Sequence, residues 1–123
     1  MNLQLLASEY AKDPDFNKLV PMPRGRIERF EIKVALLTMG GKALYEQVVA
    51  AIPAFATDPD FSEIDVLHPF SATVFDGLVQ ANILTQEQRA VIASLGYEQA
   101  PRWKALGFYR ELDIGDFIKA GVL

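Results

Sequence analysis

The stretch from Ile27 to Gly41 constrains the fold more than any other part of the chain. Ile27, Phe30, Val34 and Leu37 fall at i, i+3, i+7 and i+10, and Ile32, Ala35, Leu36 and Met39 widen the apolar face. This is the period of a core helix, because side chains on a strand alternate with a period of two. Arg26, Arg29 and Lys33 fall on a separate stripe, and Gly40-Gly41 breaks the run. A second helix follows at once, with Leu44, Val48, Ala51 and Ile52 on its face and Pro53 as its stop.

The remaining segments read as short helices between strong punctuation. Leu3, Leu6 and Tyr10 make an amphipathic N-terminal helix that ends before Asp13-Pro14. Residues 12–26 carry Pro14, Pro21, Pro23 and Gly25, which predicts a Pro-rich loop or arm. His68-Pro69 opens a helix lined by Phe70, Val74, Phe75, Leu78 and Val79, with Asn82 suited to a left-handed C-terminal residue. Thr85 and Gln88 form a capping box for the next helix, which carries Val91, Ile92 and Leu95 and closes at Gly96. Pro101–Leu106 predicts one helical turn. Phe108–Leu112 alternates like a strand, with Pro23–Ile27 as its pairing partner. Asp113 caps a last helix that ends at Gly121. Asp-Pro-Asp-Phe occurs at both Asp13–Phe16 and Asp58–Phe61, which reads as reused capping chemistry. The expectation is a mostly α fold: a compact bundle of about five short helices with at most one small β-hairpin, in a single domain spanning 1–123. With 123 residues, half of them hydrophobic, such a chain buries a substantial core.

Composition removes most catalytic and metal chemistry. There is no Cys, so there is no disulfide framework, thiolate site or Cys nucleophile. A single His excludes sites built on two imidazoles. Gly41-Lys42 fails as a phosphate loop, because Leu36 and Ala43 stand where Gly and Ser or Thr are needed. Asp58–Pro69 fails as a calcium loop, because Glu63 replaces the required Gly and Pro69 the bidentate Glu. His68 precedes a Pro and reads as a helix-entry residue. No Gly-x-Ser-x-Gly elbow accompanies it. The chain is expected to be non-enzymatic, with no cofactor and no metal. The first residues lack a basic leader, and no apolar run reaches membrane-spanning length. A soluble protein of a cytoplasm, or of a virion assembled there, is expected.

The charges are segregated. From Lys18 to Lys42, six basic residues stand against Glu28 and Glu31. From Ala43 to Gln88 there are seven acids and no Lys or Arg. Opposite faces of this kind either neutralise one another within the fold or meet between molecules and set register. Arg24, Arg26, Arg29 and Lys33 are therefore interface candidates. Trp103, Phe108 and Tyr109 join them, because aromatic residues beside Arg102, Lys104 and Arg110 have the composition of binding hot spots. The competing reading is that these rings complete a core under the last helix. The net charge of −4 argues against nucleic acid as the partner. Other proteins, including copies of the chain itself, are the expected partners, and a membrane is not.

One resemblance joins these features. Leu84-Thr85-Gln86-Glu87-Gln88 sits at the turn of a helical hairpin. Pro101-Arg102-Trp103-Lys104-Ala105-Leu106-Gly107 follows, then Asp113-Ile114-Gly115-Asp116-Phe117-Ile118. This outline resembles small proteins encoded among the tail and tail-fibre genes of tailed bacteriophages. Of their Ser-Arg-Ala-Glu-x-Leu-like turn, Arg102 and Leu106 are kept, while Trp103 and Lys104 depart. The resemblance implies a virion-associated structural or adaptor protein without catalysis, and it transfers no functional residue. The alternative function is a small cytoplasmic protein that inhibits or regulates a host protein.

Overall fold

Local capping chemistry sets most element boundaries in the computed structural model, which describes all residues from Met1 to Leu123. The order is α1 (Leu3–Lys12), β1 (Leu19–Pro23), β2 (Ile27–Glu28), α2 (Arg29–Ala51), α3 (Ala54–Thr57), a 3₁₀ turn (Pro59–Phe61), β3 (Glu63–Ile64), α4 (Pro69–Gln80), α5 (Gln86–Ser94), β4 (Tyr97–Pro101), α6 (Arg102–Ala105) and α7 (Ile114–Lys119). The Asn2 side chain accepts from Leu5 N–H at 3.0 Å and starts α1. His68 Nδ1 accepts from Phe70 N–H at 3.1 Å and starts α4. Thr85 and Gln88 make the expected reciprocal capping box at 3.1 and 2.9 Å. Asp113 and Asp116 make another for α7 at 3.0 and 2.9 Å. Asn82 takes the left-handed conformation after α4 (φ 60°). Gly41 interrupts α2 with φ 67° and ψ −168°, so the expected break is a kink between two helical halves.

The mostly α expectation holds, but the expected count of elements does not. Seven helical segments replace about five, and two two-stranded sheets replace one hairpin. Part of the expected arm, Leu19–Pro23, is β1, paired with β4, and β2 pairs with β3 in antiparallel register, Ile27 opposite Ile64. Pro21 and Pro23 do not prevent β1 from pairing, because residues two apart face the same edge. Both missing donors then lie on the unpaired side, while Arg24 N–H donates to Gly96 C=O at 2.8 Å. Phe108–Leu112 forms no strand, and the expected pairing with Pro23–Ile27 is absent. Its alternation has another cause. Phe108 and Leu112 turn into a core, while Arg110 between them pairs with Asp116.

Contacts divide the chain into two compact units: a terminal unit of Met1–Met22 with Gln99–Leu123, and a central unit of Pro23–Glu98. In the terminal unit α1 packs on α7 around buried Leu6, Phe16 and Phe108, with Tyr10, Trp103 and Phe117 alongside. Phe16 meets Phe108 edge-on at 6.5 Å and Phe117 at 5.7 Å. Arg102 is the polar centre of this unit and only 8% exposed. Its guanidinium donates to the Glu9 carboxylate (2.8 Å), to Glu9 C=O (3.0 Å) and to Asp13 C=O (2.6 Å), and lies 4.7 Å over the Phe16 ring. Arg110 grips buried Asp116 with two bonds of 2.7 Å.

The central unit is aliphatic. Ile32 and Leu36 from the first half of α2 and Leu44 and Val48 from the second pack with Phe75, Leu78 and Ile92 of α4 and α5. Gly96 permits one close approach, since a Cβ there would lie 2.7 Å from Val66 Cγ2. The buried stripe of α2 is not the one that the i, i+3, i+7, i+10 spacing pointed to. Phe30, Val34 and Leu37 are 65%, 42% and 39% exposed, and Phe70, expected in the core, is 62% exposed. The helix is apolar on two sides, and only one side finds a core.

The two Asp-Pro-Asp-Phe copies share one turn. Asp13 accepts from Asp15 N–H and Asp58 from Asp60 N–H, each at 2.9 Å. The expected helix start is met only in the second copy, whose Pro59–Phe61 is itself the 3₁₀ turn; no helix begins at Asp13, where the chain runs on into β1.

Candidate functional site

The basic candidates engage different groups. Arg24 is clamped to Glu31 by two bonds of 3.0 and 3.2 Å and also donates to Leu95 C=O. Arg29 donates to the carbonyls of Phe55 and Asp58, both at 3.1 Å, tying α2 to the α3 turn. Lys33 lies 4.9 Å over the Tyr45 ring. Arg26 is exposed and lines a cleft with Asp60, Glu63 and Asp65. Of the aromatic candidates, Phe108 is buried and Trp103 packs half-buried against the same cluster, as the core reading held. Tyr109 is 77% exposed, with the Arg110 guanidinium 5.6 Å from its ring.

The central unit also carries a set of open depressions, two of them bordered by Arg26 and Arg29. Phe30, Val34, Thr38 and Met39 of α2 face Val91 and Leu95, on and just after α5, across an open groove of about 460 Å³. Phe30 also borders a shallow depression floored by Glu28, Arg29, Ser62 and Glu63. Glu63 continues into the cleft that holds Arg26, Asp60, Asp65 and His68, about 370 Å³ in volume. That cleft shares Phe61, Ile64, Phe70 and Ser71 with a narrow apolar slot of about 50 Å³. Their shared lining residues make the four depressions neighbours on the central unit. Sequence reasoning missed them because Phe30, Val34, Phe70 and Val91 were assigned to the core. The available signal was an α2 with more apolar side chains than one helix face can bury.

The electrostatics of the two units differ. The terminal unit has six basic and six acidic side chains, whereas the central unit has six basic and ten acidic ones. Three carboxylates of the terminal unit are held below their ordinary values. The Lys12 hydrogen bond, aided by Arg102, holds Glu9 below its ordinary value. Lys18 and the Asp15 N–H do the same for Asp13, and Arg110 for Asp116, whose partner guanidinium is raised in turn. In the central cleft, Asp60, Glu63 and Asp65 enter no ion pair. No group of three His, Asp or Glu side chains is placed to hold a metal ion. No helix is long and apolar enough to cross a membrane.

The site therefore combines open apolar area with unpaired negative charge. Compared with protein-family models, with curated proteins and with solved structures, the chain matches none at a significant level.

Proposed function

We propose that this chain is a non-catalytic structural or adaptor protein of a bacteriophage tail or similar virion assembly, and that it docks other proteins through the neighbouring depressions of its central unit. The observation that carries the docking reading is the apolar groove itself. Phe30, Val34 and Val91 are each more than 40% exposed and lie together along α2 and α5. Contiguous apolar surface costs solvation free energy in a free protein and marks association sites. The virion setting is supported by the sequence resemblance around Leu84–Gln88, Pro101–Gly107 and Asp113–Ile118.

The test is incorporation into particles. The wild-type chain is expected in particles purified from producing cells, in a fixed ratio to a neighbouring component. Val34→Glu, at an exposed position that leaves the core untouched, is expected to abolish incorporation while the circular dichroism spectrum is unchanged. Undiminished incorporation of Val34→Glu overturns the groove as the docking site. Absence of the wild-type chain from particles, with one stoichiometric host protein bound instead, overturns the virion assignment.

A further inference from the structure

The apolar slot and the cleft above it form one pocket of two characters. Val48, Phe55 and Phe75 floor the slot, and its volume of about 50 Å³ admits the end of one aliphatic side chain. Phe61 and Phe70 stand where the slot meets the cleft. Around the cleft are three carboxylates, Asp60, Glu63 and Asp65, against one guanidinium, Arg26, with His68 beside them. Asp65 accepts from Leu67 N–H at 3.1 Å, whereas Asp60 and Glu63 are exposed and their carboxylates bond to no side chain of the protein. Such a pocket complements an apolar side chain that has a cation beside it. The apolar part supplies affinity on desolvation, and the charge supplies orientation and selectivity.

We infer that this pocket docks a segment of a partner protein in which the branched end of a Leu side chain enters the slot and a neighbouring Lys or Arg pairs with Asp60 and Glu63. The inference rests on the docking reading above and names the chemistry of what docks. An acidic-apolar segment is excluded by the same rim, since a carboxylate brought there meets uncompensated like charge.

The test uses the full chain, labelled with ¹⁵N, and three peptides at low salt: acetyl-Gly-Ser-Arg-Leu-Lys-Ser-Gly-amide, the version with Glu for Arg and Lys, and the version with Ala for Leu. The Arg-Leu-Lys peptide is expected to shift the backbone amides of Ile64, Asp65, Phe70 and Ser71. It is expected to bind at least about fivefold more tightly than either control. The double variant Asp60→Asn/Glu63→Gln changes only exposed side chains. It should weaken that peptide about fivefold and flatten its salt dependence. Ser71→Phe, which adds a ring where the slot meets the cleft, should reduce the Leu peptide to the level of the Ala one. Equal binding of the Arg and Glu peptides, shifts confined to other residues, or no shifts at all overturn the inference. The parent reading fails separately. Val34→Glu lies outside this pocket, so its loss of incorporation beside a failed peptide titration sinks only the inference. Peptide binding beside normal Val34→Glu incorporation sinks only the groove.

Discussion

The terminal and central units balance their chemistry differently. In the terminal unit, almost every charge placed near the core has a partner. Arg102 satisfies a carboxylate and two backbone carbonyls, Arg110 grips Asp116, and basic and acidic residues are equal in number. The central unit has the larger aliphatic core, yet leaves Phe30, Val34, Phe70 and Val91 in solvent and Asp60 and Glu63 unpaired. Self-satisfied polar groups favour a unit that holds its own shape, whereas surplus apolar area and charge favour one that meets something else.

The sharpest way to break this contrast lies within α2 itself. Ile32→Ala, at a fully buried position, is expected to destabilise the protein by about 4 kcal/mol in urea unfolding. Phe30→Ala, two residues earlier and 65% exposed, should change stability by less than about 0.5 kcal/mol. Similar costs at both sites would mean that the exposed stripe is core after all.

Arg102→Leu removes the donor shared by Glu9 and Asp13 and should cost about 3 kcal/mol. Arg24→Leu breaks a half-exposed pair with Glu31 and should cost less than about 1 kcal/mol. Equal effects would erase the distinction between a polar anchor and a surface pair. Gly41→Ala places a Cβ at φ 67° and should cost about 2 kcal/mol by straining the kink of α2.

Acid offers a test without mutation. Glu9, Asp13 and Asp116 have lowered folded-state values, so they stabilise the fold fully at neutral pH. As pH falls through their ordinary values, 4.5 for Glu9 and 3.8 for the two Asp, the unfolded chain takes up protons before the folded one does. That stabilisation is lost progressively from there downward, and all of it belongs to the terminal unit. Trp103, the only Trp, reports on that unit. Its fluorescence is expected to change at higher pH than the far-ultraviolet circular dichroism, to which the helices of the central unit contribute most. Coincident transitions would show that the two units unfold as one.

Wherever a few neighbouring residues decide a feature, the sequence was sufficient. The caps at Asp58, His68, Thr85 and Asp113, the break at Gly41 and the left-handed Asn82 follow from short-range chemistry, whereas Asp13, with the same tetrapeptide, caps no helix. The docking surface is a different case. An apolar stripe on a helix says that it can be buried, not what buries it, and α2 has two such stripes. Choosing Ile32 and Leu36 over Phe30 and Val34 required α4 and α5 to be in place. Partners distant in sequence were equally hidden, as with Arg102 beside Glu9 or β1 beside β4. Composition and local spacing determined a mostly helical chain and its punctuation. The tertiary structure decided which apolar faces and which charges were left over, because burial and pairing depend on residues far along the chain that arrive only when it folds.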